Sequence, residues 1–263
     1  PPSIFSLGKG VRLADSAVLV VSQSGASDDL VRSAKGARQA GATVIALTNA
    51  PASPVEAEAH ITLHIGAGPE LAVPATKSVV GAIAGGMALL SALVPAYAPR
   101  ARASAVALAT LTGKSLPQTR AVLAALLRAS HVFVIGRDTG FGAAQELALK
   151  LKECCALHAE AYSSSEVLHG PLQLVTNPLL ILILDTEQPE VQDSLDTAEQ
   201  RFRAAGGTVF RLRASEAGAT GLTPAAAAAA LLCLTYPLAL QTALALGQNP
   251  DRPETLSKVT QTR

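Results

Sequence analysis

The chain contains no tryptophan, and only 3% of its 263 residues are aromatic. A chain of this length can bury one or two full cores, and here alanine, leucine and valine must fill them. Strong charge of either sign is also lacking, because 21 basic residues oppose 20 acidic ones and leave a net charge of +1. With no basic run and no aromatic stacking pattern, we expect no nucleic-acid partner.

Cysteine is scarce as well, with three residues, two of them adjacent at Cys154 and Cys155. This number does not make a disulfide framework, and a reducing, cytoplasmic setting is expected. No C-x-x-C pair or histidine cluster indicates a metal, and no cofactor is predicted. Residues 225–247 are apolar and about long enough to span a bilayer, but Pro237 and Gln241 interrupt them. They are interpreted as a core helix, with no membrane partner, and the N-terminus has no signal-peptide pattern.

Short apolar runs alternate with amphipathic stretches along the whole chain, a pattern typical of parallel sheets flanked by helices. Strands are predicted at 17–22, 43–47, 61–65, 131–136, 178–184 and 208–213. Helices are predicted at 26–40, 76–97, 141–156, 190–205 and 224–246, with two connecting helices within 98–130. The predicted fold is α/β, with two lobes at 1–115 and 116–263.

A helix end near residue 150 carries the densest set of ionisable side chains. Lys150 and Glu153 are three residues apart and share a helix face, with Glu146 one turn earlier. A carboxylate beside a lysine, next to an apolar face, can be a tuned acid or base. Downstream, His169 precedes a Gly-Pro turn that fixes its direction. A surface ion pair with an unrelated histidine is the alternative interpretation.

A second polar cluster follows the first predicted strand. Ser22, Gln23, Ser24 and Gly25 lead into a helix that starts near Ser27. A buried strand that runs into hydroxyl groups and a helix N-terminus forms an anion site. An ordinary turn with Ser27 as the N-cap is the alternative.

In their joint order, several motifs resemble the sugar isomerase (SIS) family over nearly the whole chain. The matching segments are Ser22–Gly25, Gly68–Lys77, Gly136-Arg137, Glu146–Glu153, His158–Ala161, Glu166–Pro171 and Leu256–Thr260. Asp138 stands where the family usually has a second glycine. Within the family, the chain most resembles the isomerase domain of glucosamine-6-phosphate synthase and the stand-alone deaminases of amino-sugar phosphates. By this resemblance, the first lobe lacks its first strand and phosphate-contacting loop before Pro1.

The resemblance also implies roles for individual residues. Glu153 would move the proton between C1 and C2, Lys150 would tune it, and His169 would open the sugar ring from the neighbouring subunit of a homodimer. Lys258 would close over the sugar. The substrate-binding set would be Ser22, Gln23, Ser24, Ser27, Val73 and Ser257.

The predicted function is conversion of an amino-sugar 6-phosphate, such as glucosamine 6-phosphate, to a ketose 6-phosphate and ammonia. The absence of a glutaminase domain from the sequence favours deamination over synthesis. An aldose–ketose phosphosugar isomerase is one alternative. A non-catalytic regulator that binds a sugar phosphate is another, although no helix-turn-helix domain is visible.

Overall fold

Two parallel β-sheets with helices between their strands make up the part of the chain that the computed structural model describes, Phe5 and residues 10–258. The first elements are β1 (Ala17–Ser22), α1 (Asp28–Gln39), β2 (Thr43–Thr48), α2 (Pro54–Glu58), β3 (Ile61–His64) and α3 (Lys77–Leu93). They are followed by α4 (Ala98–Ala109), α5 (Thr119–Leu126), β4 (His131–Gly136), α6 (Thr139–Cys155), β5 (His158–Ser163), β6 (Leu180–Asp185), α7 (Pro189–Ala204), β7 (Thr208–Arg213) and α8 (Pro224–Ala245). Short 3-10 turns lie at Pro95–Tyr97, Glu166–Leu168, Pro171–Thr176 and Ala214–Ala217. The predicted α/β fold with two mainly parallel sheets is confirmed.

The order of the strands places the candidate loops at the carboxyl edges of the sheets. Among the described residues, the first sheet has the order β1-β2-β3 and the second the order β5-β4-β6-β7, with every pair parallel. Ser22 ends β1 directly opposite Thr48 at the end of β2. Open parallel sheets bind ligands beyond these carboxyl ends, which is where the Ser22 loop and the loop after β4 lie.

Aliphatic side chains fill both cores, with aromatic rings concentrated in the second. All six residues of β6 are buried, as expected for a central parallel strand covered on both faces. Phe133 on β4 packs edge-on against Tyr162 and Phe202, with ring centroids 4.8 and 6.3 Å away. In the first sheet, the core is filled by smaller side chains, the alanines and valines of β2 and α1.

Helix α8 is the one helix in the described residues that could cross a membrane by length and composition. However, 67% of its most apolar window is buried within the protein. It packs against α6, where the Cys155 thiol donates to the Ala239 carbonyl at 3.3 Å. This burial accounts for its composition, because a helix that is apolar on all sides can serve as a core helix.

The chain divides into two compact units, one formed by residues up to Leu89 together with the segment from Ser257, and one by Leu90–Leu256. The first unit contains the β1-β2-β3 sheet, and the second contains the four-stranded sheet with α4 to α8. The predicted lobe boundary at 115/116 stays a prediction, because compactness alone does not define where a lobe ends.

A buried carboxylate ties together the second sheet. Asp185, at the end of β6, is fully buried and accepts hydrogen bonds of 2.8 Å from both Arg211 Nε and Arg213 Nε on β7. Gln192 Nε2 donates to the same carboxylate at 2.9 Å. Burial alone would raise the pKa of Asp185, but these donors, with the backbone N–H of Glu187, lower it below its ordinary value.

Replacing Asp185 with asparagine is expected to destabilise the protein by about 3 kcal/mol, because a buried ion pair loses one partner. The lowered pKa means that the carboxylate stabilises the fold above its unfolded pKa of about 3.9, and that this stabilisation is lost as the pH falls through the folded pKa. Urea unfolding at pH 7 and at about pH 3 measures both effects. The control is Asp196→Asn, because that Arg211 partner is 53% exposed and should cost less than about 1 kcal/mol. An equal loss in the two variants would contradict the prediction.

Candidate active site

The loop after β1 presents hydroxyl groups that are arranged to donate hydrogen bonds. The N–H of Gly25 donates to Ser22 Oγ at 3.0 Å, and the N–H of Ala26 donates to Ser24 Oγ at 3.3 Å. Each hydroxyl oxygen therefore acts as an acceptor within the loop, so its own proton is left to point at another group. Two oriented O–H donors at the carboxyl end of a strand suit an anion such as a phosphate.

Ser27 occupies the N-cap position of α1, as the alternative interpretation of this turn predicts. Its hydroxyl nevertheless makes no capping hydrogen bond, so it remains available to a ligand. Asp28 and Asp29 occupy the first turn of α1 and oppose the positive end of the helix dipole. Anion binding here must therefore depend on hydroxyl and backbone donors more than on the helix dipole.

Gly25 fixes the shape of this loop. Its φ is +60°, and a Cβ at this position would lie 2.2 Å from Ser53 Oγ. The carbonyl of Gly25 accepts the Val55 N–H at 3.0 Å, and the carbonyl of Gln23 accepts the Asn49 N–H at 3.2 Å. The loop is thus held against the segment after β2, and only glycine fits at its centre.

The segment between β3 and α3, which carries the second family-like motif, is held by Asn49 after β2 and by its own Glu70. Asn49 Nδ2 donates to the Gly68 carbonyl at 2.8 Å, and the Ala67 N–H donates to Asn49 Oδ1 at 2.9 Å. Glu70 Oε2 accepts the Ser78 N–H at 2.8 Å and the Ser78 hydroxyl at 2.5 Å. Burial would raise the pKa of Glu70, but the hydrogen bonds from Ser78 and Thr76 lower it below its ordinary value.

The C-terminal tail brings Lys258 to this same segment. Lys258 Nζ donates to the Ala72 carbonyl at 2.6 Å, next to Val73, and its charge also lowers the pKa of Glu70. All six residues of the predicted substrate-binding set and the predicted tail lysine therefore lie in the first unit, with Ser257 beside Lys258. Val259 and Thr260 of the tail motif lie outside the described residues.

The predicted pairing of Lys150 with Glu153 is present on α6. Lys150 Nζ hydrogen-bonds Glu153 Oε2 and lies 3.5 Å from Glu146 Oε1. The lysine side chain is only 4% exposed, whereas those of Glu146 and Glu153 are 13% and 23% exposed. The pair is therefore not a solvated surface ion pair, because the ammonium group is buried between two carboxylates.

Glu153 opens on a cavity of about 410 Å³ next to the end of α6. Lys152, Asn249, Glu254 and Thr255 also line this cavity. Its size is that of a small-molecule pocket. The cavity thus gives the carboxylate access to a ligand on one side while the other side contacts the buried lysine.

The two cysteines beside this carboxylate are not suited to react. Burial raises the pKa of Cys154 to about 11 and that of Cys155 to about 12. Both thiols are therefore protonated at neutral pH, and a thiol is a much weaker nucleophile than a thiolate. Proton transfer at this helix end is left to the carboxylates.

His169 lies exposed after the 3-10 turn Glu166–Leu168, and its N–H donates to the Glu166 carbonyl at 3.1 Å. In the described part of the chain, no hydrogen bond or ion pair joins His169 to Glu153.

The strand that leads to this turn is anchored by Arg137, whose Nη1 donates to Ser163 Oγ at 2.9 Å and to Ser165 Oγ at 2.7 Å.

Two contacts of this site were not foreseen in the sequence. The Tyr236 hydroxyl on α8 donates to Glu146 Oε1 at 3.0 Å, across 90 residues of chain. Arg137, directly after β4, donates hydrogen bonds to Ser163 and Ser165, which lie at the end of β5 and just beyond it. No local spacing marks either contact, since only the packing of distant elements creates them.

Together, the geometry defines a two-unit parallel α/β protein with a hydroxyl-lined loop in one unit and a buried lysine–carboxylate cluster in the other. Comparison with known proteins narrows this class. A family model described as the SIS domain matches residues 13–92 and 125–216, well over half of the chain. The chain therefore belongs to the SIS domain family.

Among curated proteins, the chain is 35% identical over 266 residues to a glutamine–fructose-6-phosphate aminotransferase (isomerizing) of Symbiobacterium thermophilum. That alignment covers 91% of this chain but 43% of the relative, so the chain spans less than half of that protein's length. A relative with the same description from Aeropyrum pernix is 32% identical, over 93% of this chain and 43% of its own length.

Solved structures agree on the fold. A protein from Silicibacter pomeroyi described as a candidate phosphosugar isomerase superposes with a TM-score of 0.82 at 32% identity, covering 95% of this chain and 78% of that one. A glucosamine-6-phosphate deaminase from Thermotoga maritima gives a TM-score of 0.77 at 19% identity, covering 98% and 79%. At 19% identity, the second match supports the fold alone.

Proposed function

We propose that the protein is a cytoplasmic phosphosugar isomerase that converts an amino-sugar 6-phosphate, represented by glucosamine 6-phosphate, to the ketose 6-phosphate and ammonia. The observation that carries the proposal is the buried Lys150 ammonium bonded to Glu153, whose carboxylate opens on a cavity. Isomerisation needs a single carboxylate that can take a proton from one carbon and return it to the next. The names of the relatives at about one-third identity support a sugar-phosphate substrate.

The chemistry assigns one role to each group. Glu153 takes the proton from C2 of the open-chain amino sugar while O1 takes up a proton from water, which leaves a 1,2-enolamine. Glu153 then returns its proton to C1 as the nitrogen releases one proton to water. The product is the C2 imine of the ketose, which water hydrolyses to the ketose and ammonia. Lys150 holds the Glu153 carboxylate in place, and its positive charge tunes the basicity of that carboxylate. His169 opens the sugar ring, because histidine is the side chain best suited to exchange protons at neutral pH.

Binding of the phosphate is assigned to the first unit. Ser22, Ser24 and Ser27 donate hydroxyl protons, and Gln23 donates from its amide. Val73 contributes a backbone contact, and Ser257 and Lys258 on the tail contact the sugar. The proposal is supported by the acceptor role of Ser22 Oγ and Ser24 Oγ within their loop, which leaves their protons for the ligand.

A panel of sugar phosphates tests the reaction, with ammonia release and ketose formation measured in parallel. We expect glucosamine 6-phosphate to give both products in equal amounts. Ketose formation from an aldose phosphate without ammonia would replace deamination with plain isomerisation. Binding of sugar phosphates without turnover of any would favour the regulator.

Replacing Ser24 with alanine is expected to weaken sugar-phosphate binding by about 1–3 kcal/mol, because a hydrogen bond to a charged group is lost. Isothermal titration calorimetry with the substrate measures the change in dissociation constant. Ser16→Ala is a suitable control, since Ser16 is a half-buried serine before the opposite end of β1. Equal affinities of Ser24→Ala and wild type would place the phosphate elsewhere.

A further inference from the structure

Tyr236 on α8 completes a chain of polar contacts that ends at Glu153. Its hydroxyl donates to Glu146 Oε1 at 3.0 Å, and the same carboxylate oxygen lies 3.5 Å from Lys150 Nζ. Lys150 in turn hydrogen-bonds Glu153. Three residues of this chain of contacts, Glu146, Lys150 and Glu153, therefore lie on α6, and the fourth lies on α8, whose sequence is mostly apolar.

The environment of Glu146 opposes its negative charge. Burial raises the pKa of this carboxyl above its ordinary value, and the charge of Glu153 acts in the same direction. Lys150 and the Tyr236 hydroxyl lower the pKa and so favour the ionised form. The Cys154 thiol lies close by, but it is protonated at neutral pH. Tyr236 is thus the group from a different helix that favours an ionised Glu146.

We infer that Tyr236 is a positioning residue for the proposed reaction, because its hydroxyl favours the ionised form of Glu146 and so favours the sharing of Lys150 between two carboxylates. Tyr236 is not among the residues that line the cavity beside Glu153. It acts through Glu146 and Lys150. The inference rests on the proposed function for its effect on rate, but not for its effect on Glu146.

The link to Glu153 is electrostatic. While Glu146 is ionised, the positive charge of Lys150 is divided between two carboxylates. When Glu146 takes up a proton, the whole attraction of the buried ammonium falls on Glu153. A carboxylate held more strongly by a cation is a weaker base, so the abstraction of the C2 proton slows as Glu146 is protonated.

Tyr236→Phe, which keeps the ring and removes the hydroxyl, is therefore expected to move the acid limb of the kcat profile to higher pH by about one unit. At high pH, where Glu146 is ionised in both proteins, kcat should stay close to the wild-type value. Tyr162→Phe is the matched control, since the Tyr162 hydroxyl also donates to a carboxylate, Glu160 Oε2, at 2.5 Å. That variant should leave the acid limb in place.

A double-mutant cycle separates positioning from a general loss of structure. In a Glu146→Gln background, the titrating group is gone, so adding Tyr236→Phe should not shift the acid limb further. A shift of the same size in both backgrounds would overturn the inference. So would a Tyr236→Phe enzyme whose kcat falls equally at every pH, because that is the result expected if the tyrosine only packs.

A readout that needs no substrate distinguishes this inference from the proposed function. Titration of ¹³C-labelled glutamate carboxyls by NMR should show the Glu146 signal, assigned with Glu146→Gln, titrating at higher pH in Tyr236→Phe than in wild type. If that shift is found while no sugar phosphate turns over, the electrostatic role stands and the proposed reaction fails. An unchanged Glu146 titration would refute the role of Tyr236 whatever the activity.

Discussion

Replacing Glu153 with glutamine is expected to lower kcat by about 10²–10⁴-fold, the range for loss of a general base, while the substrate still binds. Glutamine keeps the shape of the side chain and can still accept a hydrogen bond from Lys150. It cannot take up the C2 proton, however. The expected loss is large because the buried lysine and the cavity leave Glu153 as the carboxylate that both contacts the ammonium and opens to a ligand.

The informative measurement is exchange of the substrate's C2 proton with deuterated solvent, followed by NMR, because it depends on proton abstraction alone. Glu190→Gln, an exposed carboxylate in the first turn of α7, provides the control. Exchange by Glu153→Gln at the wild-type rate would show that the base is another group. If wild type also fails to exchange every sugar phosphate that it binds, the regulator becomes the better explanation.

Most strands and helices could be predicted from the sequence because buried parallel strands are continuous apolar runs. The runs at β4 and β6 are of this kind, and nearly all their residues are buried. Strand β5 (His158–Ser163) was not predicted as a strand. It lies at the edge of its sheet, alternates polar and small residues, and has only two buried positions. This alternation leaves no continuous apolar run, which is the pattern from which the other strands were predicted.

For the site, the sequence could predict the contacts that depend on local spacing along the chain. Three residues along a helix bring Lys150 to Glu153, and that contact is present. The depth at which the lysine is buried could not be predicted, since it depends on α8 packing over α6. The contact of Lys258 with Ala72 spans 186 residues. It could be approached only through the resemblance to a family, because no pattern in the chain links the tail to that loop.

His169 provides the other large effect, because it is expected to act across a dimer interface. The histidine is exposed, and the described residues place no hydrogen bond between it and Glu153 of the same chain. On the resemblance to the SIS family, we propose a homodimer in which His169 of the partner subunit completes the site around Glu153. Its interface should bury more than roughly 2,000 Å², as obligate dimers do. An active monomer in light scattering would contradict this arrangement.

Two inactive variants should restore each other if the site is shared in this way. His169→Asn and Glu153→Gln homodimers each lack one essential group in both sites, and each should lose about 10²–10⁴-fold in kcat. A heterodimer of the two has one site with both groups intact and one with neither, so a two-fold symmetric dimer should recover about half of the wild-type activity. Co-expression with two different tags and purification on both isolates that heterodimer. The single-tag homodimers, purified in parallel, set the background. A heterodimer no more active than either parent would mean that His169 and Glu153 do not meet across the interface. The heterodimer contains one intact His169 and one intact Glu153 on different subunits, and these two groups would then have failed to form an active site.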